Sequence, residues 1–196
     1  HNMKLLVFVV AAVFVASAWG QKPKGCRCVP PQYTITMTDL ASVNSNNWNM
    51  SDVAYDYEGK RTALVSYVWN PITYTTTSMG RAVLDFNKDK IFWIPEGKPD
   101  TCYTLKNTYP FTQCIPDDAK YLGSTYLGPM MALPYDGWRF KMGNATSTLA
   151  LSAKDCVPLL EAWTTPSEKK TMMYSRFQRG IIDPDKWFSL PASCGK

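Results

Sequence analysis

Histidine, the side chain most often used in acid–base catalysis, is nearly absent from this sequence. The chain has one histidine, His1, and it precedes Met3. His1 lies in a leader that we expect to be removed, so the mature chain has no imidazole. It cannot assemble a Ser–His–Asp or Cys–His catalytic group, nor a zinc site with histidine ligands. The sequence also has no Gly-rich phosphate loop, nucleophile elbow or dinucleotide fingerprint. These observations predict a binding protein rather than an enzyme.

One acidic stretch resembles a calcium loop. Ligand positions 1, 3, 5 and 12 of an EF-hand are matched by Asp85, Asn87, Asp89 and Glu96. Position 6, which requires glycine for a sharp turn, is Lys90. A hairpin turn between strands at 81–86 and 90–94 explains the same residues better, because the flanks alternate like strands.

Two further acid pairs lie on predicted loops, Asp117-Asp118 and Asp183-Pro184-Asp185. Either pair could bind calcium through its oxygens, but solvated turn residues are the commoner meaning of such pairs. A glycosidase would also need two carboxylates, and nothing in the sequence fixes their separation or raises one pKa. We therefore predict no required cofactor, with calcium as a candidate ion whose ligands the sequence does not identify.

Six cysteines follow residue 20, and we predict that all are in disulfides: Cys26, Cys28, Cys102, Cys114, Cys156 and Cys194. An even number of cysteines in an exported chain is typical of a disulfide framework, here with 15 alternative connectivities. Zinc sites favour C-x₂-C pairs, and the sequence contains none. The two cysteines of the C-x-C motif are too close to bond readily to each other, so we expect each to reach a distant partner.

The first 20 residues have the layout of a secretory signal peptide. After the upstream residues His1-Asn2 and the start at Met3, Lys4 supplies the positive charge, and residues 5–15 form an unbroken apolar run. Small residues follow, so cleavage after Gly20 is predicted, with cleavage after Ala18 as the alternative. No later segment reaches the roughly 18 apolar residues of a membrane span. The predicted product is a secreted, extracellular domain covering 21–196.

Charge and glycosylation signals agree with export. Removing Lys4 lowers the formal net charge from +5 to +4, and the positive charges are spread along the chain. Nucleic-acid binding would require a concentrated basic stripe, so we predict no nucleic-acid partner.

Asn49 and Asn144 each begin an Asn-x-Ser/Thr sequon and are predicted surface glycosylation sites.

Period-2 alternation runs through most of the mature chain and predicts an all-β domain. Residues 33–38 alternate large and threonine side chains, and the segments at 63–69 and 138–142 repeat the pattern. Turn sequences separate some nine to eleven such segments, which is typical of a β-sandwich or barrel. The one helix candidate, 154–163, is interrupted by Pro158.

The strands carry many aromatic residues, 13% of the whole chain. One interpretation is a filled core; the other is a ligand cavity between curved sheets, because curved β structures can hold apolar ligands. We predict that such a cavity is lined by Trp69, Tyr74, Phe92, Trp138, Phe140 and Trp163.

The carboxy-terminal third resembles the ependymin-related proteins. The motifs are Tyr174-Ser175-Arg176-Phe177, Gly180-Ile181-Ile182-Asp183-Pro184, Phe188 and Pro191-Ala192-Ser193-Cys194. The spaced Cys-Pro segments at 154–158 and 28–33 match that family as well, whereas the middle of the chain aligns only loosely.

The resemblance implies a secreted, non-enzymatic glycoprotein with a fold similar to bacterial lipoprotein carriers. In that fold two curved antiparallel sheets form a sandwich or half-barrel around an apolar pocket, commonly in a homodimer. It further implies calcium binding, cell–matrix contact, and the pairings Cys28–Cys156, Cys102–Cys194 and, by remainder, Cys26–Cys114. Asp183 lies within the signature and is explained equally well as the cap of the turn at Pro184.

Two functions follow from these observations. The first is an extracellular protein that binds a hydrophobic or lipid ligand in a pocket between β-sheets. The alternative is a structural component of the extracellular or shell matrix that acts through its surface, calcium and glycans. Charge separates them, because mineral-associated proteins are usually strongly acidic and this chain is basic.

Overall fold

The computed structural model describes residues 25–195, so the predicted leader at 1–20 lies outside the described residues. Within that range the chain forms eleven strands, one short α-helix and three single-turn 3₁₀ helices, at Ser42–Asn44, Pro129–Met131 and Ala192–Gly195. The strands are β1 (Gln32–Asp39), β2 (Trp48–Asp56), β3 (Arg61–Asn70), β4 (Thr75–Asp85), β5 (Lys90–Pro95), β6 (Tyr103–Lys106), β7 (Lys120–Leu127), β8 (Leu133–Met142), β9 (Ala145–Ser152), β10 (Pro158–Thr164) and β11 (Lys169–Arg179). The helix α1 covers Pro184–Phe188.

All eleven strands belong to one curved antiparallel sheet, in the order β6-β5-β4-β3-β2-β1-β11-β10-β9-β8-β7. The predicted all-β, antiparallel architecture is confirmed. The two predicted sheets are the two halves of a single sheet, because the first strand pairs with the last. In that pairing Thr36 lies opposite Ser175 and Thr38 lies opposite Met173.

The hairpin predicted between β4 and β5 is also confirmed. The carboxylate of Asp85 accepts hydrogen bonds from the backbone N–H groups of Asn87 and Lys88, which closes the turn. Glu96 lies beyond the other end of β5 and accepts a hydrogen bond from Ser78. The residues that resemble an EF-hand are therefore divided between opposite ends of a hairpin. The segment at 154–163 forms no helix: β10 begins at Pro158, the residue that interrupts the helical pattern, and continues to Thr164.

Cross-strand partners point to the same side of a sheet, so the register divides the side chains between two faces. We call the face that carries Thr38, Met50 and Tyr67 the pocket face. The opposite face carries Tyr33, Val53 and Trp138, and we call it the covered face, since the segments at 25–31 and 107–119 pack over it.

The covered face holds most of the hydrophobic core. One cluster contains Ile115, Trp138, Phe140 and Leu151. A second contains Tyr33, Ile35 and Val53, with Val29 from the amino-terminal segment packed against both clusters. Phe111 stacks on Tyr55 and Phe86, with ring centroids 5.3 and 4.2 Å apart. Burial of these large side chains stabilises the fold by about 25 cal/mol per Å² of apolar surface. The covered face is therefore a filled interior.

The disulfides are Cys26–Cys156, Cys28–Cys114 and Cys102–Cys194. The third matches the pairing implied by the family resemblance, whereas the other two exchange partners. The exchange follows from the short antiparallel bridge between Cys28 and Cys114. The N–H of Val29 donates to the carbonyl of Gln113 (3.0 Å), and the N–H of Ile115 donates to the carbonyl of Arg27 (2.7 Å). This ladder places Cys28 directly opposite Cys114.

Asp136 of β8 holds the amino-terminal segment at 25–31 in place through hydrogen bonds. Its buried carboxylate accepts hydrogen bonds from the backbone N–H of Cys26 (2.8 Å), the hydroxyl of Tyr121 (3.0 Å) and the hydroxyl of Ser124. Burial alone would raise the pKa of Asp136, but these hydrogen bonds favour the charged form and hold the pKa below its usual value.

The variant D136N is therefore expected to lose about 1–3 kcal/mol of unfolding free energy at neutral pH. Because the folded-state pKa is depressed, this stabilisation is present above the ordinary aspartate pKa of about 3.9 and is lost as the pH falls through the folded value. Urea unfolding of wild type and D136N at neutral and acidic pH should show the difference shrinking in acid. A difference independent of pH would contradict the role of the carboxylate charge.

At the other terminus, α1 packs on the pocket face. Phe188 lies against Ala54, Ala63, Val83 and Phe92. The guanidinium of Arg81 donates to the carbonyls of Lys186 (2.8 Å), Trp187 (3.2 Å) and Ser189 (2.6 Å), satisfying backbone groups at the helix end. This helix covers the end of the pocket face near the β2–β3 turn, and it leaves the opposite end of β2 and β3, which carries Trp48 and Trp69, uncovered.

Candidate ligand pocket

A cavity of about 600 Å³ opens on the pocket face where α1 does not cover it. Five neighbouring strands supply its lining: β4, β3, β2, β1 and β11. The lining residues are Thr38, Trp48, Met50, Asp52, Val65, Tyr67, Trp69, Thr76, Ser78, Met173, Ser175 and Arg176. The volume lies within the range of about 300–1,000 Å³ typical of small-molecule sites.

Two tryptophans form the aromatic wall of this pocket. Trp48 begins β2, and the register places it directly opposite Trp69 of β3. Their ring centroids are 5.0 Å apart with the planes at 84°, the edge-to-face geometry that aromatic pairs favour. Met50 and Val65 continue the apolar surface along the same two strands. A hydrocarbon placed here would contact aromatic, thioether and branched aliphatic groups.

The centre of the pocket is polar. One carboxylate oxygen of Asp52 accepts hydrogen bonds from the hydroxyl of Thr36 (2.7 Å) and the hydroxyl of Tyr67 (3.2 Å). Burial of the phenol raises the pKa of Tyr67, and the negative charge of Asp52 raises it further. The neutral phenol thus acts as a fixed donor to Asp52, while Thr38, only 2% exposed, adds a second hydroxyl to the polar region.

Arg176 supplies positive charge at the β11 side of the pocket. The pairing of β1 with β11 shifts between Thr34 and Thr36, and Arg176 lies in the resulting bulge with a φ of 53°. Bulges redirect side chains out of the regular alternation. Here the change of direction adds the guanidinium to the pocket lining. Among residues 25–195 the guanidinium of Arg176 forms no ion pair.

The structure brings one of the six predicted cavity aromatics to the pocket, Trp69. Tyr74 instead lies in the turn after β3, where it is 82% exposed. Phe92 is on the pocket face, but it is buried beneath Phe188 of α1 and faces no cavity. The alternation in sequence places a residue on a face without saying which part of that face is covered.

Trp138, Phe140 and Trp163 lie on the covered face, away from the pocket. Trp138 and Phe140 are buried in the core, and Trp163 is half-buried with the ammonium of Lys170 5.6 Å from its ring centroid. The prediction that these three residues line the ligand cavity is therefore corrected, because the structure does not place them in the pocket lining. Alternation shows that they share a face with one another but not which face is filled.

Sequence reasoning missed Trp48, Met50 and Asp52, although a signal for them exists. They alternate along β2 on one face, and their cross-strand partners in β3 are Trp69, Tyr67 and Val65. Aligning the two strands through the turn at 57–60 places these residues side by side. That step identifies the pocket face from the sequence once the hairpin is assigned.

The acidic pairs have structural roles in this fold. Asp117 forms an ion pair with Arg27 (3.1 Å), and Asp183 caps α1 by accepting a hydrogen bond from the N–H of Lys186. Within the described chain no group of three or more histidine, cysteine or acidic side chains is arranged to hold a metal. Both sequon asparagines, Asn49 and Asn144, are exposed, and their glycosylation stays a prediction. No helix between residues 25 and 195 is long and apolar enough to cross a membrane.

Comparison by sequence identifies no relative: no protein-family model matches the chain, and no curated protein matches it. Solved structures do resemble it. An uncharacterised conserved protein from Thermus thermophilus has a TM-score of 0.53 at 10% identity, covering 82% of this chain and 86% of its own. A LolA superfamily protein from Nitrosomonas europaea has a TM-score of 0.38 at 7% identity, covering 86% and 92% respectively. Of these two scores only the first exceeds 0.5, and it indicates a shared fold alone.

Proposed function

We propose that this protein is a secreted carrier that binds an amphipathic, largely apolar molecule in the pocket on its sheet. The observation that supports this most directly is the uncovered cavity lined by Trp48, Trp69 and Met50 in the middle of the sheet. Large apolar side chains that stay in contact with water lack the favourable free energy of burial, which is about 25 cal/mol per Å² of apolar surface. A ligand that covers them recovers that free energy.

The chemistry of the lining favours a ligand with one polar end. Apolar groups meet at the Trp48–Trp69 wall, whereas Asp52 and Arg176 supply opposite charges elsewhere in the same cavity. A purely hydrocarbon ligand would bury these charges without a partner, which is costly. A chain with a polar head satisfies both parts of the lining, as in other sites where a few polar groups orient a mostly apolar ligand.

Three disulfides fit a protein that works outside the reducing cytosol. Together with the signal-like leader they support a secreted protein, and the carboxy-terminal motifs are what favour the ependymin-related type, since only the Cys102–Cys194 pairing matches the one that the resemblance implies. The alternative, a matrix component acting through surface, calcium and glycans, has no specific site in its favour on the described surface. Calcium-dependent adhesion to collagen that persists with the pocket filled would favour that alternative.

The variant W69L is expected to weaken ligand binding by about 10- to 100-fold, because it removes half of the aromatic wall and its contact area. The measurement is a titration with a dansyl-labelled fatty acid, whose emission increases in an apolar site. Native mass spectrometry of the secreted wild type should in addition recover a bound apolar molecule, and W69L should retain less of it.

The matched control is W163L, the same substitution on the covered face. Trp163 is half-buried and lies outside the pocket, so its variant should bind the probe as the wild type does. Equal affinity in W69L and wild type, or an equal loss in W163L, would contradict the proposed site.

A further inference from the structure

The hairpin of β7 and β8 lacks charged side chains, as does the hairpin of β3 and β4 at 62–80, but it differs from that hairpin in carrying two adjacent exposed methionines at its tip. Residues 121–135 contain no charged side chain. By contrast, the turn between β2 and β3 contains Glu58 and Lys60, and the turn between β4 and β5 contains Lys88 and Asp89. β7 is also an edge strand of the sheet, so this hairpin stands at the margin of the molecule.

The uncharged hairpin exposes a continuous set of large apolar side chains. Met130 is 99% exposed and Met131 is 68% exposed, both in the loop that joins the two strands. Behind them Tyr126, Leu127 and Leu133 are between 39% and 53% exposed. Scattered exposed apolar residues are ordinary, but a contiguous group marks an interaction site.

The backbone holds this loop in an uncommon conformation. Met130 and Met131 have φ values of 56° and 58°, in the left-handed region that favours glycine or asparagine. A loop that only reversed the chain would be more stable with those residues. Two successive methionines, both exposed and both kept at strained backbone positions, indicate that their side chains have a function.

The side chains are graded in polarity along the hairpin. The methionines are at the tip, the next rung pairs Leu127 with Leu133, and the following rungs contain Tyr126 and Tyr135. This order, aliphatic groups outermost and tyrosines behind them, matches the change from hydrocarbon to headgroup across a bilayer interface. We propose that the β7–β8 hairpin tip inserts into a lipid surface, with Met130 and Met131 entering the hydrocarbon.

This proposal is independent of the pocket and can be tested on the intact protein. Methionine sulfoxide forms at exposed thioethers, so a hydrogen peroxide pulse reports which methionines are accessible. With vesicles of phosphatidylcholine, alone or mixed with phosphatidylserine, we expect oxidation of Met130 and Met131 to slow by about tenfold, since insertion removes them from water. Met79, 52% exposed on β4, is the internal control and should oxidise at an unchanged rate.

The variant M130S/M131S should lower partitioning into those vesicles by about tenfold or more, whereas M79S should partition as the wild type does. Both substitutions are at exposed positions, and unchanged affinity for the dansyl-labelled fatty acid would show that the pocket is intact. Equal oxidation with and without vesicles would overturn the proposal. So would protection that appears without lipid as the protein concentration rises, because that result would assign the tip to contact between copies of the chain.

Discussion

Replacing Cys102 and Cys194 together by serine is expected to lower the free energy of unfolding by about 4–5 kcal/mol. The two cysteines are separated by 92 residues, and opening a loop of that size returns a large conformational entropy to the unfolded chain. Urea unfolding of C102S/C194S against wild type measures the loss. Serine at both positions avoids a free thiol that could form wrong disulfides.

The structure also indicates which region of the protein C102S/C194S destabilises most. Cys102 precedes β6 and Cys194 follows α1, so the bond ties the carboxy-terminal segment to an edge strand. Without it α1 is held by the packing of Phe188 and by the hydrogen bonds of Arg81. Hydrogen exchange should accelerate at 184–195 well before the remainder of the sheet. A loss below about 1 kcal/mol would contradict the expected contribution.

The connectivity itself is directly measurable. Non-reducing peptide mapping should recover Cys26 linked to Cys156 and Cys28 linked to Cys114. Recovery of Cys28 linked to Cys156 would contradict the bridge that places Cys28 opposite Cys114.

A second large effect is expected from W138A, which should destabilise the protein by about 3–5 kcal/mol. Trp138 is 1% exposed and fills the core of the covered face, with the ring of Tyr121 4.9 Å away and the guanidinium of Arg27 5.4 Å away. Truncation leaves a cavity between β8 and the amino-terminal segment. Chemical unfolding of W138A, with W138F as the variant that retains a ring, measures this cost.

Variants of Trp138 and Trp69, compared for both stability and probe affinity, test the assignment of the pocket to one face of the sheet. W138A should lose stability and, under conditions where it is folded, bind the dansyl-labelled fatty acid as the wild type does. W69L should lose affinity with a smaller change in stability, since Trp69 lines an open pocket. If W138A lost probe affinity while folded and W69L did not, the assignment of the pocket to its face would be wrong.

Local patterns in the sequence determine the strands well. The alternation at 33–38 corresponds to β1, the turn at 86–89 to the β4–β5 hairpin, and Pro158 to a strand instead of a helix. Each of these features depends on neighbouring residues, so local propensity and turn chemistry suffice.

Long-range features are less accessible from the sequence. The pairing of β1 with β11, which makes one sheet out of two halves, has no local signal. The same holds for the choice between Cys26 and Cys28 as partner of Cys156, because the two lie so close in the chain that either could reach. To identify the pocket residues from the sequence, one must know which face of the sheet the segments at 25–31 and 107–119 cover. Only tertiary packing decides that.

The pairing of the first strand with the last has a consequence for biosynthesis. β1 has one neighbour, β2, that follows soon after it, but its other neighbour ends at Arg179. Synthesis proceeds from the amino terminus, so the centre of the sheet cannot close until β11 has left the ribosome. Cys26 likewise must wait for Cys156. Contacts this distant in sequence slow folding, so one edge of β1 stays unpaired while the intervening strands are being made.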